Sequence, residues 1–314
     1  MASNRKIVLR SHPRGKVAPE DFGFVEDDAA PVGDGQVGVS VDYLSIDAFI
    51  RTTLDGGGFH QSAKLGGVVP ALGVGTVVES RDPAFVVGDV VTGPFCSQEY
   101  AVVPAAACGK VDTNLAPATA FLGALSIATG LTAYVGMKYV AKVSGGESVV
   151  VSGAAGAVGS LAGQVAKLMG AGRVIGIAGG PEKCAFLVDE LGFDAAVDYK
   201  AGDVAGRLAE LAPNGVDVFY DNVGGDVLDA VLMNLAIEAR VVLCGAVSQY
   251  ENMADVRGPK NYLKIAERDA SLLGFTIFHY ADKSAEATKA MADWLRSGDI
   301  KVREHIEHGI ESFP

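Results

Sequence analysis

Residues 149–160 constrain the fold of this chain more than any other segment. A run of β-branched residues, Val149 to Val151, stops at a cluster of three glycines, and apolar residues at helical spacing follow at once. This order of strand, tight turn and helix is typical of a dinucleotide-binding unit. The alternative is a tight packing turn in an α/β sheet that binds no ligand.

Each glycine of the cluster has a predicted physical role. Gly153 ends the strand, Gly156 lets the backbone approach a pyrophosphate, and Gly159 allows the helix to pack closely on the strand. The unpaired N–H groups of the following helix, together with its dipole, favour a phosphate at this end.

Composition excludes several function classes. A chain of 314 residues with 49% hydrophobic content can hold two domains with substantial cores. Its net charge of −12 argues against nucleic acid, since phosphate backbones require a basic surface. Residues 148–166 carry no charge, but four glycines divide them into a short strand and a short helix, so no membrane span is predicted. Residues Met1–Arg10 show no charged segment followed by an apolar one, so no targeting signal is predicted and a cytoplasmic protein is expected.

The metal-ligating residues are scattered along the chain. Cys96, Cys108, Cys184 and Cys244 form no C-x-x-C pair and are predicted to be reduced thiols. His305 and His308 lie among glutamates, where a solvated charged stretch is favoured over a metal site. We therefore predict no metal.

The two parts of the chain differ in pattern. Up to about residue 125, short strands (36–41, 74–79, 86–92 and 98–103) are divided by Gly and Pro, which favours an irregular, partly barrel-like β domain. A helix is predicted within 122–139. Strands and helices then alternate, with strands after the first at 173–179, 195–199, 216–221, 240–245 and 272–278, and helices at 182–191, 204–211, 227–235 and 285–296.

This alternation predicts a doubly wound, parallel, six-stranded sheet. We expect the domains to comprise residues 1–125 with 299–314, and residues 126–298. A ligand should bind where the strands end, at Gly153, Gly179, Tyr199, Asn222, Gly245 and Phe278.

The end of the second strand favours NADP over NAD. NAD sites usually hold the ribose hydroxyls with an acidic residue about 20 residues after the glycine motif. Here Gly179 stands at that point, followed by Lys183, and Tyr199 closes the third strand. Small residues and a cation suit a 2′-phosphate. Glu182 is evidence against this interpretation, and Lys183 has the alternative of a solvated helix-start lysine.

Two further strand ends are candidate ligand contacts. Asn222, followed by glycines, can reach the ribose or nicotinamide side of a cofactor, with an Asn-Gly turn cap as the alternative. Cys244 to Val247 are small residues that allow close packing on a dinucleotide, and they leave Tyr250 at the edge of the pocket.

Several motifs together resemble one family. They are Tyr43-Leu44-Ser45-Ile46-Asp47, Gly88-Asp89-Val90-Val91, Gln98-Glu99-Tyr100-Ala101-Val102, Leu122-Gly123-Ala124-Leu125, Gly130-Leu131-Thr132-Ala133-Tyr134, Ala154-Ala155-Gly156-Ala157-Val158-Gly159, Asp221-Asn222-Val223-Gly224-Gly225 and Ser248-Gln249-Tyr250. Across essentially the whole chain the sequence resembles the zinc-independent medium-chain dehydrogenase/reductases. The resemblance is to the leukotriene hydroxydehydrogenase/prostaglandin reductase branch, which includes alkenal and curcumin double-bond reductases.

The resemblance implies a GroES-like β-barrel substrate domain and a Rossmann domain, usually in a homodimer. It also implies NADPH-dependent reduction of the C=C bond of α,β-unsaturated ketones or aldehydes. Carried onto this sequence, the cofactor contacts are Thr132, Gly156, Ala157, Val158, Gly159, Lys183, Tyr199, Asn222, Cys244, Gly245, Ala246, Val247, Phe275, Thr276 and Ile277. The substrate pocket includes Asp47, Phe49 and Tyr250.

Two departures from the family pattern affect these expectations. Where relatives have Asp-Pro-Tyr-Met, this chain has Asp47-Ala48-Phe49-Ile50, so one pocket hydroxyl is replaced and a less polar pocket is expected. Relatives continue past Pro314 with a helix, a strand and a cofactor-contacting Asn. Either the sequence is a piece of a longer chain, or the protein lacks this closure.

Without a metal to polarise a carbonyl, conjugate reduction is favoured over carbonyl reduction. Hydride then goes to the β-carbon and leaves an enolate, for which Tyr250 is the predicted hydrogen-bond donor and catalytic residue. Two alternatives remain: an NADPH-dependent quinone reductase of the same superfamily, and a non-catalytic NADP-binding protein.

Overall fold

The computed structural model of the protein describes residues 3–55 and 62–314. The chain divides into two compact units. The first contains Met1–Leu122, Tyr250–Asp255 and Glu304–Pro314, and the second contains Gly123–Gln249 and Val256–Arg303. The domain boundaries given above remain a prediction, and they did not anticipate that the six residues from Tyr250 belong to the first unit.

The first unit is built on antiparallel strands. Its five-stranded sheet has the order β6-β3-β4-β5-β7, and a separate hairpin pairs β1 with β2. Isolated bridges from Lys6 to Gln98 and from Val8 to Val68 connect the hairpin to residues outside it. The strands are β1 Ser3–Leu9, β2 Phe22–Asp28, β3 Gln36–Leu44, β4 Gly73–Ser80, β5 Val90–Gly93, β6 Tyr100–Pro104 and β7 Gly109–Lys110; one helix, α1, covers Ala48–Thr53.

Alternation of apolar and polar residues places one face of these strands in a core. Val37, Val39, Val77 and Val91 are fully buried beneath the five-stranded sheet. A second cluster, which includes Ile7, packs the hairpin against α1. The predicted strand 86–92 begins too early, because Val86 and Val87 lie exposed in a turn and the Asp89 carboxylate accepts a hydrogen bond from the Val86 N–H.

The second unit contains the predicted six-stranded sheet. Every neighbouring pair is parallel, in the order β10-β9-β8-β11-β12-β13. The order reverses between β8 and β11, which makes the gap between their carboxyl ends the switch point of the sheet. The strands are β8 Ser148–Ser152, β9 Arg173–Ala178, β10 Ala195–Asp198, β11 Val216–Asp221, β12 Leu235–Leu243 and β13 Ser271–Gly274.

Helices accompany these strands, and the core between the two layers is apolar. Val150, Ile175, Phe219 and Val241, one from each of four strands, are fully buried in it. Within the described residues, no helix is both long and apolar enough to span a bilayer. The helices are α2 Gly130–Val135, α3 Ala157–Leu168, α4 Pro181–Ala185, α5 Val204–Leu211, α6 Gly225–Leu232, α7 Leu263–Glu267 and α8 Ser284–Ser297.

Two sequence-based elements differ from the structure. The helix predicted within 122–139 starts only at Gly130 and continues from Gly136 as a π-helix to Ala141. The sixth strand ends at Gly274 rather than at Phe278, which lies in a 3-10 helix over Ile277–Lys283. In both places apolar residues suggested regular structure, but tertiary contacts set the boundaries.

A carboxylate connects α8 to α2 and to the π-helix that follows it. Glu286 accepts hydrogen bonds from the Tyr134 hydroxyl at 2.7 Å, from the Lys138 ammonium and from the Tyr139 hydroxyl. Lys138 also donates to the Tyr134 hydroxyl at 2.9 Å. The hydrogen bond from Lys138, followed by those from the two tyrosines, lowers the pKa of Glu286 to about 2.

This cluster predicts a pH dependence of stability. The pKa of Glu286 is lower in the folded protein than in the unfolded chain, so its ionised form stabilises the fold above the unfolded value of about 4.3, and this stabilisation is lost as the pH falls toward 2. The free energy of unfolding of Glu286→Gln, measured with denaturant, should therefore be lower than that of the parent at pH 7. The two values should converge at low pH. Glu304→Gln, at an exposed position, is the control. A difference that stays constant with pH would contradict the assignment.

Candidate active site

The turn after β8 forms a cradle at the switch point. Gly153 has φ = +56°, a conformation that glycine adopts without strain. A Cβ at Gly159 would lie 2.3 Å from the Gly153 carbonyl oxygen, so only glycine permits this contact between α3 and the end of β8. Two of the predicted glycine roles therefore have a clear geometric basis.

The N-terminus of α3 is open to a ligand. Gly156 begins the helix with an extended backbone, and no side chain caps it. The first N–H groups of a helix have no intrahelical partner and carry partial positive charge, so they suit a phosphate. Gly156 and Ala157 are exposed, Val158 is half-buried and Gly159 is buried. These residues fit the pyrophosphate of a dinucleotide.

A buried carboxylate crosses the switch point. Asp221, at the end of β11, is fully buried and accepts a hydrogen bond from the Ser152 hydroxyl at 2.6 Å. It also accepts from the N–H groups of Val223 at 3.0 Å and Gly224 at 3.1 Å. Burial raises the pKa of Asp221, and these hydrogen bonds oppose the rise. Neither Ser152 nor Asp221 was predicted as a site residue, although both adjoin residues that were.

Asn222 takes its position from the same network. Its backbone N–H donates to the Ser152 hydroxyl at 2.8 Å, and its side-chain amide donates to the Ser152 carbonyl oxygen at 2.7 Å. The amide nitrogen therefore joins the ends of β8 and β11, and the contact of Asn222 with a ligand stays a prediction. Among the described residues, no donor reaches the amide oxygen, so it can accept a hydrogen bond from a ligand hydroxyl.

The turn after β12 is locked to the turn after β11. The N–H groups of Cys244 and Gly245 donate to the Asp221 carbonyl oxygen at 2.8 and 3.1 Å. The N–H of Val247 donates to the Asn222 carbonyl oxygen at 3.1 Å. Ala246, between them, is half-buried. The predicted cofactor residues at these two strand ends are thus joined by backbone hydrogen bonds.

The Cys244 thiol faces the protein interior. The Tyr220 hydroxyl interacts with it and donates a hydrogen bond to the Thr132 carbonyl oxygen at 3.1 Å. Burial raises the pKa of Cys244 to about 11, so the thiol is protonated at neutral pH and is a poor nucleophile. Thr132 is nearly buried, and its hydroxyl donates to the Ile127 carbonyl oxygen at 2.6 Å.

Phe275 joins this interior group. Its ring lies 6.5 Å from that of Tyr220 and 6.2 Å from that of Tyr280, measured between centroids. Thr276 and Ile277, which follow it, are half-buried. Thr132, Cys244 and Phe275 all contact Tyr220, a residue that the sequence analysis did not single out.

The end of β9 is the place where the sequence predicts a 2′-phosphate site. A Cβ at Gly179 would lie 2.8 Å from the ring of Tyr199, so any side chain there would have to displace this ring. Asp198 accepts hydrogen bonds from the N–H groups of Gly180 at 2.8 Å and Lys200 at 2.9 Å, which lower its pKa. Lys183 is exposed on the short helix α4, and Tyr199 is 48% exposed.

The predicted substrate residues lie in the first unit. Asp47 immediately precedes α1; burial raises its pKa, a hydrogen bond from Ser45 lowers it, and its Oδ2 has no recorded partner among the described residues. Phe49 packs partly into the apolar cluster beneath α1. Tyr250 is half-buried in the segment Tyr250–Asp255.

The donor set of the described residues does not fit a zinc ion. No group of three or more His, Cys, Asp or Glu side chains converges in residues 3–55 and 62–314. The pKa values of all four cysteines are raised by burial, which disfavours the thiolate that zinc requires. The absence of a functional metal remains a prediction.

Family models match both parts of the chain. Residues 5–111 match the N-terminal domain of oxidoreductases, and residues 157–296 match a model described as zinc-binding dehydrogenase. The NADPH-dependent curcumin reductase of Escherichia coli is 37% identical over 99% of this chain and 91% of its own length. The NADP-dependent 2-alkenal reductase of Nicotiana tabacum is 33% identical over 99% of this chain and 92% of its own length.

A solved structure extends the match to three dimensions. CurA of Vibrio vulnificus, in complex with NADPH, superimposes with a TM-score of 0.90 at 35% identity, and the match covers 98% of this chain and 93% of that one. Sequence and fold agree over nearly the whole chain, and they confirm the resemblance read from its motifs. The chain belongs to the zinc-independent medium-chain dehydrogenase/reductases, in the branch that contains the curcumin, alkenal and prostaglandin reductases.

Proposed function

We propose that this protein uses NADPH to reduce the C=C bond of α,β-unsaturated ketones and aldehydes. The observation that carries the cofactor assignment is the end of β9, where Gly179 provides no carboxylate, the ring of Tyr199 packs against it, and Lys183 lies exposed four residues later in the chain. The named activities of the curcumin and alkenal reductases, which align over nearly the whole chain, support the reaction type.

We propose the following places for the cofactor. The pyrophosphate binds at the uncapped N-terminus of α3, the 2′-phosphate at Lys183 and Tyr199, and the nicotinamide half at the interlocked turns after β11 and β12. The residues proposed to contact it are Thr132, Gly156, Ala157, Val158, Gly159, Lys183, Tyr199, Asn222, Cys244, Gly245, Ala246, Val247, Phe275, Thr276 and Ile277.

The reaction requires the protein to orient the substrate against the cofactor and to supply one hydrogen-bond donor. Bound NADPH supplies a hydride, which goes to the β-carbon of the substrate. Negative charge then develops on the substrate oxygen, and we propose that the Tyr250 hydroxyl donates a hydrogen bond to it. Asp47 and Phe49 are proposed to line the same pocket. Phe49 contributes an apolar ring, part of which packs against the core.

We further propose a cytoplasmic homodimer. The edge strand β13 has Leu272 40% exposed, and Phe278 beyond it is 69% exposed. An edge strand presents unpaired backbone groups, and exposed apolar side chains beside it favour association with a second copy.

The reaction type predicts where the hydride goes. With deuteride-labelled NADPH and benzalacetone, the product should be the saturated ketone with one deuterium on the β-carbon, because hydride adds in the conjugate position. Mass spectrometry and NMR of the product provide the measurement. An allylic alcohol would indicate carbonyl reduction. Turnover of a quinone without turnover of any enone or enal would favour the quinone reductase alternative.

Lys183 should discriminate between the two nicotinamide cofactors. Lys183→Ala should weaken NADPH binding by about 1.5–3 kcal/mol, the range for hydrogen bonds to charged groups, and leave NADH binding nearly unchanged. Fluorescence titration of both cofactors measures this, with Lys289→Ala, at an exposed position of α8, as the matched control. Equal weakening of both cofactors would assign Lys183 a structural role.

Tyr250 should matter more to turnover than to cofactor binding. Tyr250→Phe should lower kcat with enones about 10-fold or more, because the lost donor acts mainly on charge that develops in the transition state. NADPH affinity, measured by titration, should stay within about threefold of the parent. An unchanged kcat with every enone would remove Tyr250 from the mechanism.

A further inference from the structure

One arginine of α1 connects three separate segments of the first unit. The Arg51 side chain is only 12% exposed. Its Nη1 donates to Asp55 Oδ1 at 2.7 Å, and its Nη2 donates to the carbonyl oxygens of Gly15 at 3.0 Å and Glu251 at 2.9 Å. Its Nε is buried and has no recorded partner among the described residues.

The segment that Arg51 reaches has little regular structure of its own. Tyr250–Asp255 contains one 3-10 turn, with a hydrogen bond from the Asp255 N–H to the Asn252 carbonyl oxygen at 3.1 Å. It contributes to none of the strands of the described chain. Residues 251–254 line a cleft of about 400 Å³ together with residues 13–15 and Asp55. Since side chains of the described residues leave this space open, hydrogen bonding matters more to the position of the segment.

We propose that Arg51 is a positioning residue that acts through Tyr250. The proposal rests on the proposed function, in which the Tyr250 hydroxyl donates to the substrate oxygen. Glu251 directly follows Tyr250, so a hydrogen bond to its carbonyl oxygen restrains the backbone from which the phenol projects. The nearly buried guanidinium holds this carbonyl and that of Gly15 with a single nitrogen, while its Nη1 is held by Asp55.

The planar guanidinium is essential to this arrangement. It can donate from both Nη atoms at fixed angles, whereas a lysine ammonium is a point charge on a flexible stem and cannot reproduce the fork. Methionine retains an apolar stem and removes every donor. The pair Arg51→Met and Arg51→Lys therefore separates the aliphatic packing of the side chain from its hydrogen bonds.

A double-mutant cycle with Tyr250 tests the proposal. With benzalacetone and NADPH, Arg51→Met should lower kcat/KM about 10-fold in the parent and less than about twofold in the Tyr250→Phe background. A positioning residue has little left to position once the hydroxyl is gone. Arg51→Lys should lie between Arg51→Met and the parent. The Kd of NADPH, measured by fluorescence titration, should stay within about twofold in all variants.

Arg5→Met is the matched control. Arg5 also pairs with a carboxylate of the first unit, Glu99, and its loss should leave kcat/KM unchanged. An equal loss from Arg51→Met in both backgrounds would overturn the proposal. If Arg51→Met does not fold by circular dichroism, the same comparison with Arg51→Lys decides. A Tyr250→Phe variant with full activity would instead reject the proposed role of Tyr250, so the two failures are distinguishable.

Discussion

The hydrogen bond between Ser152 and Asp221 is the contact on which the candidate site depends. It joins the ends of β8 and β11, the two strands between which the sheet reverses its order. A buried carboxylate is costly unless donors replace its water. Here one hydroxyl and two backbone N–H groups do so, and the same turns then orient Asn222 and the turn after β12. The hydrogen bonds of the Asp221 carboxylate therefore help to position the turns after β8, β11 and β12.

The sequence predicted the parallel sheet well because its signals are local. Short apolar runs followed by turn residues mark these strands, and five of the six predicted strands end within two residues of the observed ends. The sixth did not, because Phe275 turns into the interior against Tyr220. Gly136, where α2 gives way to the π-helix, also lies against Tyr220. A Cβ at Gly136 would lie 2.4 Å from the Tyr220 ring. Packing partners that are distant in sequence decide such boundaries.

The contacts within the site were less predictable than the residues that form it. The motif Asp221-Asn222-Val223-Gly224-Gly225 indicates a turn, but nothing in it shows that Ser152 supplies the donor, because that depends on β8 being the neighbour of β11. The link from Arg51 to Glu251 spans 200 residues of sequence. Periodicity and turn chemistry contain no information at that range, and only the folded chain brings these groups together.

Two aspartates illustrate how burial and hydrogen bonding combine. Burial raises the pKa of both Asp47 and Asp221. Asp221 is held by several donors, whereas Asp47 Oδ2 and the nearby Arg51 Nε have no recorded partner among the described residues. A buried polar group without a partner costs about 1–3 kcal/mol. Proteins tend to accept such costs at functional sites. The unsatisfied groups thus lie where we place the substrate, and the satisfied carboxylate lies where we place the cofactor.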